Sequence, residues 1–124
     1  LIEDIRGLLT FGEINQPLPF IPQRYFLVFD VPSKHIRGEH AHHKLHQFMV
    51  CASGSCAVML DDGDNRDEVI LDSPTLGLYV PPLIWGVQYK YTPDAIVLVL
   101  ASDIYKPDDY IRDYEEFIKI IKKC

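Results

Sequence analysis

Short apolar or alternating runs recur along most of the chain, separated by clusters of Gly, Pro, Asn and Asp. Turn-forming clusters of this kind bound strands, and alternation sends successive side chains of a strand to opposite faces of a sheet. The pattern predicts strands at residues 7–13, 24–29, 38–42, 47–52, 56–61, 67–71, 75–80, 84–91 and 95–102. Closely spaced strands without helices between them are typical of an all-β antiparallel sandwich or barrel. Residues 95–100 are apolar at both parities, which predicts a central strand buried on both faces.

The last eighteen residues follow a different pattern. Asp108 and Asp109 come directly after Pro107 and can cap a helix. Apolar residues then recur at helical spacing, at Ile111, Tyr114, Phe117, Ile118 and Ile121. Lysines occupy the last turn, where the helix dipole favours cations. The pattern predicts a C-terminal α-helix that packs its apolar face on the sheet or on a second subunit.

Composition narrows the class of protein. The chain has 124 residues, 48% of them hydrophobic, which is typical of one globular domain spanning residues 1–124. A net charge of −6 argues against a nucleic-acid surface. No apolar run approaches the roughly 18 residues of a membrane helix. Three cysteines without CxxC spacing predict free thiols in a reducing cytoplasm. The first residue, Leu1, is compatible with trimming or with excision from a longer, bifunctional enzyme.

Four of the five histidines lie between positions 40 and 46. On a strand, His40 and His42 share a face, with Arg37 and Lys44 close by. Imidazole has an unperturbed pKa of ~6.5 and exchanges protons near neutral pH. Paired imidazoles beside fixed positive charge suit proton abstraction from an anionic substrate, but the same spacing also suits a metal ion.

An HxH pair on an early strand of a barrel resembles the cupins. In metal-binding cupins a carboxylate follows the pair by four residues, and here His46 holds that position. Three imidazoles could bind Zn, Fe or Ni. Gly86 stands where a fourth ligand would be expected on a later strand, which weakens the metal hypothesis.

The chain more specifically resembles the cupin-type sugar-nucleotide 3,4-ketoisomerases. The resemblance rests on segments that follow one another in order along nearly the whole chain. They are residues 4–9 (DIRGLL), 18–20 (LPF), 24–26 (RYF), 37–42 (RGEHAH), 54–56 (GSC), 60–63 (LDDG), 77–82 (GLYVPP), 100–103 (LASD) and 109–112 (DYIR). Lys44 and Gln47 follow the central RGxHAH core.

The resemblance implies a cupin jelly roll that acts on dTDP-4-keto-6-deoxyglucose without metal or other cofactor. It implies homodimers that exchange an N-terminal strand, and a cytoplasmic role in making 3-amino-3,6-dideoxyhexoses for lipopolysaccharide or S-layer glycans. It implies no nucleic-acid or membrane partner. The product would be a dTDP-3-keto-6-deoxyhexose.

Moving a carbonyl from C4 to C3 requires a base at C3, proton return to C4, and stabilisation of an enediolate. We predict His40 as the base and His42 as the residue that relays or donates the proton. Arg37 can hold the diphosphate with its guanidinium fork. The remaining substrate-binding candidates are Arg24, Tyr25, Lys44, Gln47, Tyr79 and Trp85.

Several alternatives remain at this stage. The histidines could be packing residues of a barrel interior, and His43 and His46 are expected to be solvated or structural. Rival functions are a dTDP-sugar 3,5-epimerase, a metal-dependent cupin enzyme and a non-catalytic sugar-binding cupin. Several relatives carry a histidine where this chain has Gly86. If that imidazole helps to deliver the proton, its absence leaves open which face of C4 is reprotonated, so the product can have the galacto or the gluco configuration.

Overall fold

A computed structural model of the chain describes residues 2–4, 7–9, 13–14, 17–32 and 35–123. Strands dominate these residues, and one α-helix, α1 (Tyr114–Lys122), follows them. The strands are β1 (Ile2–Asp4), β2 (Gly7–Leu9), β3 (Glu13–Ile14), β4 (Pro17–Leu18), β5 (Arg24–Phe29), β6 (Arg37–His42), β7 (Gln47–Ser53), β8 (Cys56–Asp61), β9 (Arg66–Leu71), β10 (Gly77–Val80), β11 (Trp85–Tyr89), β12 (Ile96–Ala101) and β13 (Tyr110–Ile111).

Two antiparallel sheets pack face to face. One sheet has the order β10-β7-β12-β5 and the other the order β13-β6-β11-β8-β9. Inward side chains of both sheets form a single core, in which Val97 and Val99 of β12 meet Val58 of β8 and Leu71 of β9. Alternation along each strand therefore buries one face, and the predicted all-β jelly-roll class is confirmed.

The predicted strand boundaries agree with the structure to within two residues from position 24 onward. The predicted strand at 7–13 does not hold as one element: Gly7–Leu9 pairs with β1, Glu13–Ile14 pairs in parallel with β4, and residues 10–12 lie outside the described residues. The four short strands β1–β4 belong to neither large sheet.

The outer face of the four-stranded sheet is apolar and uncovered in the single chain. The prediction that residues 95–100 form a central strand is confirmed, since β12 lies between β7 and β5. The prediction that both of its faces are buried is wrong, because outward-facing Ile96 is 38% exposed. On the neighbouring edge strand Tyr25, Leu27 and Phe29 are 69%, 48% and 56% exposed.

The C-terminal helix begins later than the sequence pattern predicts. Its N-cap is Asp113, whose side chain accepts a hydrogen bond from the Glu115 backbone N–H. Pro107–Asp109 forms a 3₁₀ turn, and Tyr110–Ile111 pairs with β6 as a strand. The proposed cap Asp109 is wrong because its carboxylate binds groups of the β6 segment instead. The helix packs Phe117 against Trp85 of the sheet, as predicted.

Cys51 and Cys56 are buried free thiols, as predicted, and Cys124 lies outside the described residues. Within the part of the chain that the structure describes, no helix is long and apolar enough to cross a membrane.

Candidate active site

A cavity of about 340 Å³ opens between the two sheets. Strand β6 contributes Arg37, His40 and His42 to its wall, and Gln47 of β7 lies across from them. The structure therefore brings together four of the predicted site residues.

A bulge in β6 explains how Arg37 joins the histidines. Arg37 precedes His40 by three positions, so regular alternation would send the two side chains to opposite faces. Opposite them on β11, Gly86 pairs with His40 and Gln88 pairs with Arg37, which leaves one extra residue on β6. Gly38 occupies this bulge with φ of 71°, a conformation that favours glycine. The bulge turns Arg37 toward the cavity.

His42 is held from its Nδ1 side by Asp109. His42 is buried, and its Nδ1 lies 3.1 Å from Asp109 Oδ2. The same carboxylate accepts the backbone N–H groups of Lys44 and Leu45 at 2.9 and 3.2 Å. The opposite ring nitrogen, His42 Nε2, is buried and has no hydrogen-bond partner among the described residues. A buried polar atom without a partner is rare and favours a ligand-binding role.

His40 packs against His42 and against Tyr110 of β13. The His40 and His42 rings lie 4.8 Å apart, edge to face, and Tyr110 lies 4.9 and 4.4 Å from them. Tyr110 pairs with His42 across the sheet, which places the three rings on one face. The Arg112 guanidinium stacks 4.1 Å from the Tyr110 ring centre and also lines the cavity.

Both imidazoles are disfavoured in the charged state. Burial, followed by electrostatic repulsion between the charged forms of His40 and His42 and by the charge of Arg112, lowers the pKa of His40 from 6.5 to about 4. Burial also lowers the pKa of His42, but there the charge and hydrogen bond of Asp109 act in the opposite direction. At neutral pH His40 is therefore an unprotonated imidazole that can accept a proton.

A second, wider cavity of about 640 Å³ adjoins the first and shares His42, Tyr105 and Tyr110 with it. Arg24, Lys44 and Lys106 also line it. Arg24 Nε is buried without a hydrogen-bond partner among the described residues, and its guanidinium stacks on the Tyr105 ring. Arg24 and Lys44 are suited to a phosphate ligand, whereas Lys106 Nζ is paired with Asp103 Oδ2 at 2.7 Å.

Three predicted substrate-binding aromatics lie away from both cavities. Tyr25 is on the outer face of β5, opposite in parity to Arg24. The Tyr79 hydroxyl lies 2.6 Å from His46 Nδ1, and the two rings stack. Trp85 is buried against Tyr114 and Phe117 of the helix region. This packing gives Trp85 a structural role.

The hypothetical three-histidine metal site is not assembled. His46 contacts Tyr79 and Phe20 and does not line the cavity that contains His40 and His42. No group of three or more His, Cys, Asp or Glu side chains that could hold a metal ion is found in the described ranges. His43 is exposed, as expected from its parity.

Sequence reasoning missed three residues of the site: Asp109, Tyr110 and Arg112. The helical spacing that continues from Ile111 placed them at a helix start. The only signal that marked them was the DYIR segment, which the resemblance to the ketoisomerases included. Their roles depend on the pairing of β13 with β6, about seventy residues earlier in the chain.

Gly86 lies at the cavity wall directly opposite His40. A Cβ atom at this position would meet no atom within 4 Å. Strand β11 can therefore carry a side chain at this position, and because glycine has none, open space remains beside His40.

Comparison with known proteins places this geometry in a family. A family model described as FdtA, WxcM-like, C-terminal, matches residues 1–122. A TDP-4-oxo-6-deoxy-alpha-D-glucose-3,4-oxoisomerase from Aneurinibacillus thermoaerophilus is 47% identical over 122 residues, covering 98% of this chain and 88% of that protein.

Solved structures agree with the sequence match. A 3,4-ketoisomerase from Helicobacter canadensis superposes with a TM-score of 0.94 at 36% identity, covering 98% of this chain and 91% of that one. The QdtA 3,4-ketoisomerase from Thermoanaerobacterium thermosaccharolyticum, solved as a histidine-to-asparagine mutant with TDP-4-keto-6-deoxyglucose, gives 0.95 at 37% identity, covering 98% and 88%. By sequence and by structure, the chain belongs to the FdtA, or WxcM-like C-terminal, family.

Proposed function

We propose that this chain is a sugar-nucleotide 3,4-ketoisomerase that converts dTDP-4-keto-6-deoxyglucose to a dTDP-3-keto-6-deoxyhexose. The observation that carries the proposal is the pairing of His40 and His42 in one cavity, in different surroundings. His40 is neutral and beside cationic groups, and His42 has a carboxylate partner on one nitrogen and no partner on the other. The similarity to named 3,4-ketoisomerases over 98% of the chain supports the same activity.

The chemistry needs one proton moved between carbons and one between oxygens. His40 removes the proton on C3, the C–H electron pair forms the C3=C4 bond, and the carbonyl electron pair moves onto O4. The C3 hydroxyl then passes its proton to O4 as C3=O forms, and C4 takes the carbon-bound proton back from His40. A placed acid or base of this kind contributes about 10²–10⁴ in rate.

Cationic groups around the cavity support binding of the substrate. Arg112 and Arg37 line the cavity with the histidines and can stabilise the negative charge that develops on O4. Arg24 and Lys44 line the adjoining cavity and are our candidates for the diphosphate. Gln47 is buried in the first cavity and is suited to a sugar hydroxyl. Substrate roles for Tyr25, Tyr79 and Trp85 would need surfaces other than these two cavities.

We further propose a single-domain subunit that forms a cytoplasmic homodimer by exchange of an N-terminal strand. The uncovered apolar face at Tyr25, Leu27 and Phe29 supports a subunit interface, because large exposed apolar patches mark association surfaces. The short strands β1–β4, which pair with neither large sheet, support the exchange. Light scattering should give twice the 14.3 kDa chain mass, and a monomer would contradict this.

We also propose that the deoxysugar made from the product of this reaction is used in lipopolysaccharide or S-layer glycans.

The decisive experiment incubates the protein with dTDP-4-keto-6-deoxyglucose and an aminotransferase that acts on 3-keto sugars. We expect a 3-amino-3,6-dideoxyhexose, and NMR of its C4 configuration distinguishes galacto from gluco products. In deuterated water a ketoisomerase leaves C5 protiated, whereas a 3,5-epimerase exchanges it. Binding without turnover would indicate a sugar-binding protein. Activity that is lost on chelation and restored by metal would indicate a metal-dependent enzyme.

A further inference from the structure

Among the residues around the cavity, Asp109 stands out because it contacts a proposed catalytic histidine and has no assigned role. We propose that Asp109 is a positioning residue that fixes the ring and tautomer of His42, so that His42 exchanges protons only through Nε2. This inference rests on the ketoisomerase activity proposed above. The inference assigns a different proton to each histidine: His40 moves the carbon-bound proton, and His42 moves the hydroxyl proton.

The contacts of Asp109 determine which nitrogen of His42 carries hydrogen. Both carboxylate oxygens accept backbone N–H groups, Oδ1 from Lys44 and Oδ2 from Leu45. An ionised carboxylate can only accept hydrogen bonds. The nitrogen that lies 3.1 Å from Oδ2, His42 Nδ1, must therefore be the donor. In the neutral ring this leaves the lone pair on Nε2.

The chain itself holds Asp109 in place. The residue ends the 3₁₀ turn Pro107–Asp109, and its neighbour Tyr110 pairs with His42 across β13 and β6. The backbone carbonyl of Asp109 also accepts the His43 N–H at 2.9 Å. Because backbone contacts hold both sides of the Asp109–His42 pair, the orientation of the ring does not depend on a mobile side chain.

The free nitrogen is the one that the substrate would meet. His42 lines both cavities, and its Nε2 is buried with no hydrogen-bond partner among the described residues. In the proposed reaction Nε2 accepts the O3 proton while C3=O forms, and then gives that proton to O4. The ring begins and ends neutral, so the step balances without an outside acid or base.

Asp109 also makes the transient imidazolium of His42 less costly. Burial disfavours a positive charge on the His42 ring, and so do the charges of Arg24 and Arg112. Asp109 is the group that favours it, both by charge and by hydrogen bond. His40 has no carboxylate among the groups that shift its titration, which fits the role of a base that returns its proton directly to carbon.

The test is Asp109→Asn, with Asp67→Asn as the matched control on an exposed carboxylate that lines neither cavity. The asparagine amide can donate to Nδ1, which then must accept, and the ring proton moves to Nε2. We expect kcat to fall by a factor on the order of 10²–10⁴, as tautomer reversal does in a comparable histidine–aspartate pair, with KM changed by less than about threefold. Asp109→Glu should recover part of the loss, and Asp67→Asn should match wild type.

A second readout does not depend on activity. Nitrogen-15 NMR of histidine-labelled protein without substrate distinguishes the two neutral tautomers, and the His42 signals are those lost in His42→Asn. We expect the Nδ1–H form in the wild type and the Nε2–H form in Asp109→Asn. An Nε2–H wild type, or a folded Asp109→Asn that keeps kcat within twofold, would overturn the inference. The expected tautomers in a protein without isomerase activity would instead contradict the proposed function alone.

Discussion

Two carboxylates each organise a cluster of polar groups, Asp61 on the helix side of the five-stranded sheet and Asp109 on the cavity side, and the clusters differ in one respect. Asp61, at the end of β8, accepts hydrogen bonds from the Gly63 N–H, Arg66 Nε and the Tyr114 hydroxyl. Asp109 accepts two backbone N–H groups and His42 Nδ1. The Asp61 cluster joins a hairpin to the helix region, whereas the Asp109 cluster continues through the imidazole to a buried nitrogen without a partner.

The difference separates a structural polar cluster from one prepared for a ligand. Around Asp61 the space is filled: Tyr114 packs on Trp85 and Phe117, and a Cβ atom on Gly63 would lie 2.0 Å from the Ile121 side chain. Around His42 there is a cavity, and unpaired nitrogens are costly to bury. Removal of a group on the cavity side should therefore change catalysis, and removal on the helix side should change stability.

The largest effect is expected for His40→Asn. Asparagine keeps a polar side chain of similar reach but cannot accept a proton from carbon, so kcat should fall by about 10²–10⁴ while TDP affinity is nearly unchanged. Steady-state kinetics with the coupled aminotransferase measures kcat, and calorimetry with TDP measures affinity. Unchanged kcat would remove His40 as the base and with it the division of roles between the histidines.

Asp61→Ala should have the next largest effect, on stability instead of rate. The substitution leaves the Tyr114 hydroxyl and Arg66 without their buried acceptor, and we expect the free energy of unfolding to fall by about 1–3 kcal/mol. Urea unfolding measures this change. Asp67→Ala, at an exposed position of the same hairpin, is the control and should stay within about 0.5 kcal/mol of wild type. If Asp61→Ala lowers kcat with no loss of stability, the contrast between the helix side and the cavity side fails.

Most of the fold could be predicted from alternation and turn residues. Strands β5 to β12 were found because half-buried strands repeat with a period of two, and residues such as Gly54 and Pro93 lie between them. The helix start could not be placed, since Asp109 and Asp113 are equally good caps in sequence. Only the pairing of Tyr110 and Ile111 with β6 decides between them.

The site could be predicted in part, for a similar reason. His40 and His42 share a strand, so their common face followed from parity alone. Arg37 needed the bulge at Gly38, which shifts parity by one residue and is fixed by pairing with β11. Asp109 and Arg112 come from a distant segment, and nothing in their spacing connects them to the histidines.

The smallest effect is expected for Gly86→Ala, which compares the free space on the cavity side with that on the helix side. The new methyl group would meet no atom within 4 Å, and alanine narrows the unfolded ensemble, so we expect a gain of about 0.4–1 kcal/mol in the free energy of unfolding. Gly63→Ala should instead destabilise, because φ is 100° there and Ile121 occupies the space. Urea unfolding of both variants measures the contrast. If both substitutions destabilise equally, the cavity beside His40 lacks the room that a ligand-binding role requires.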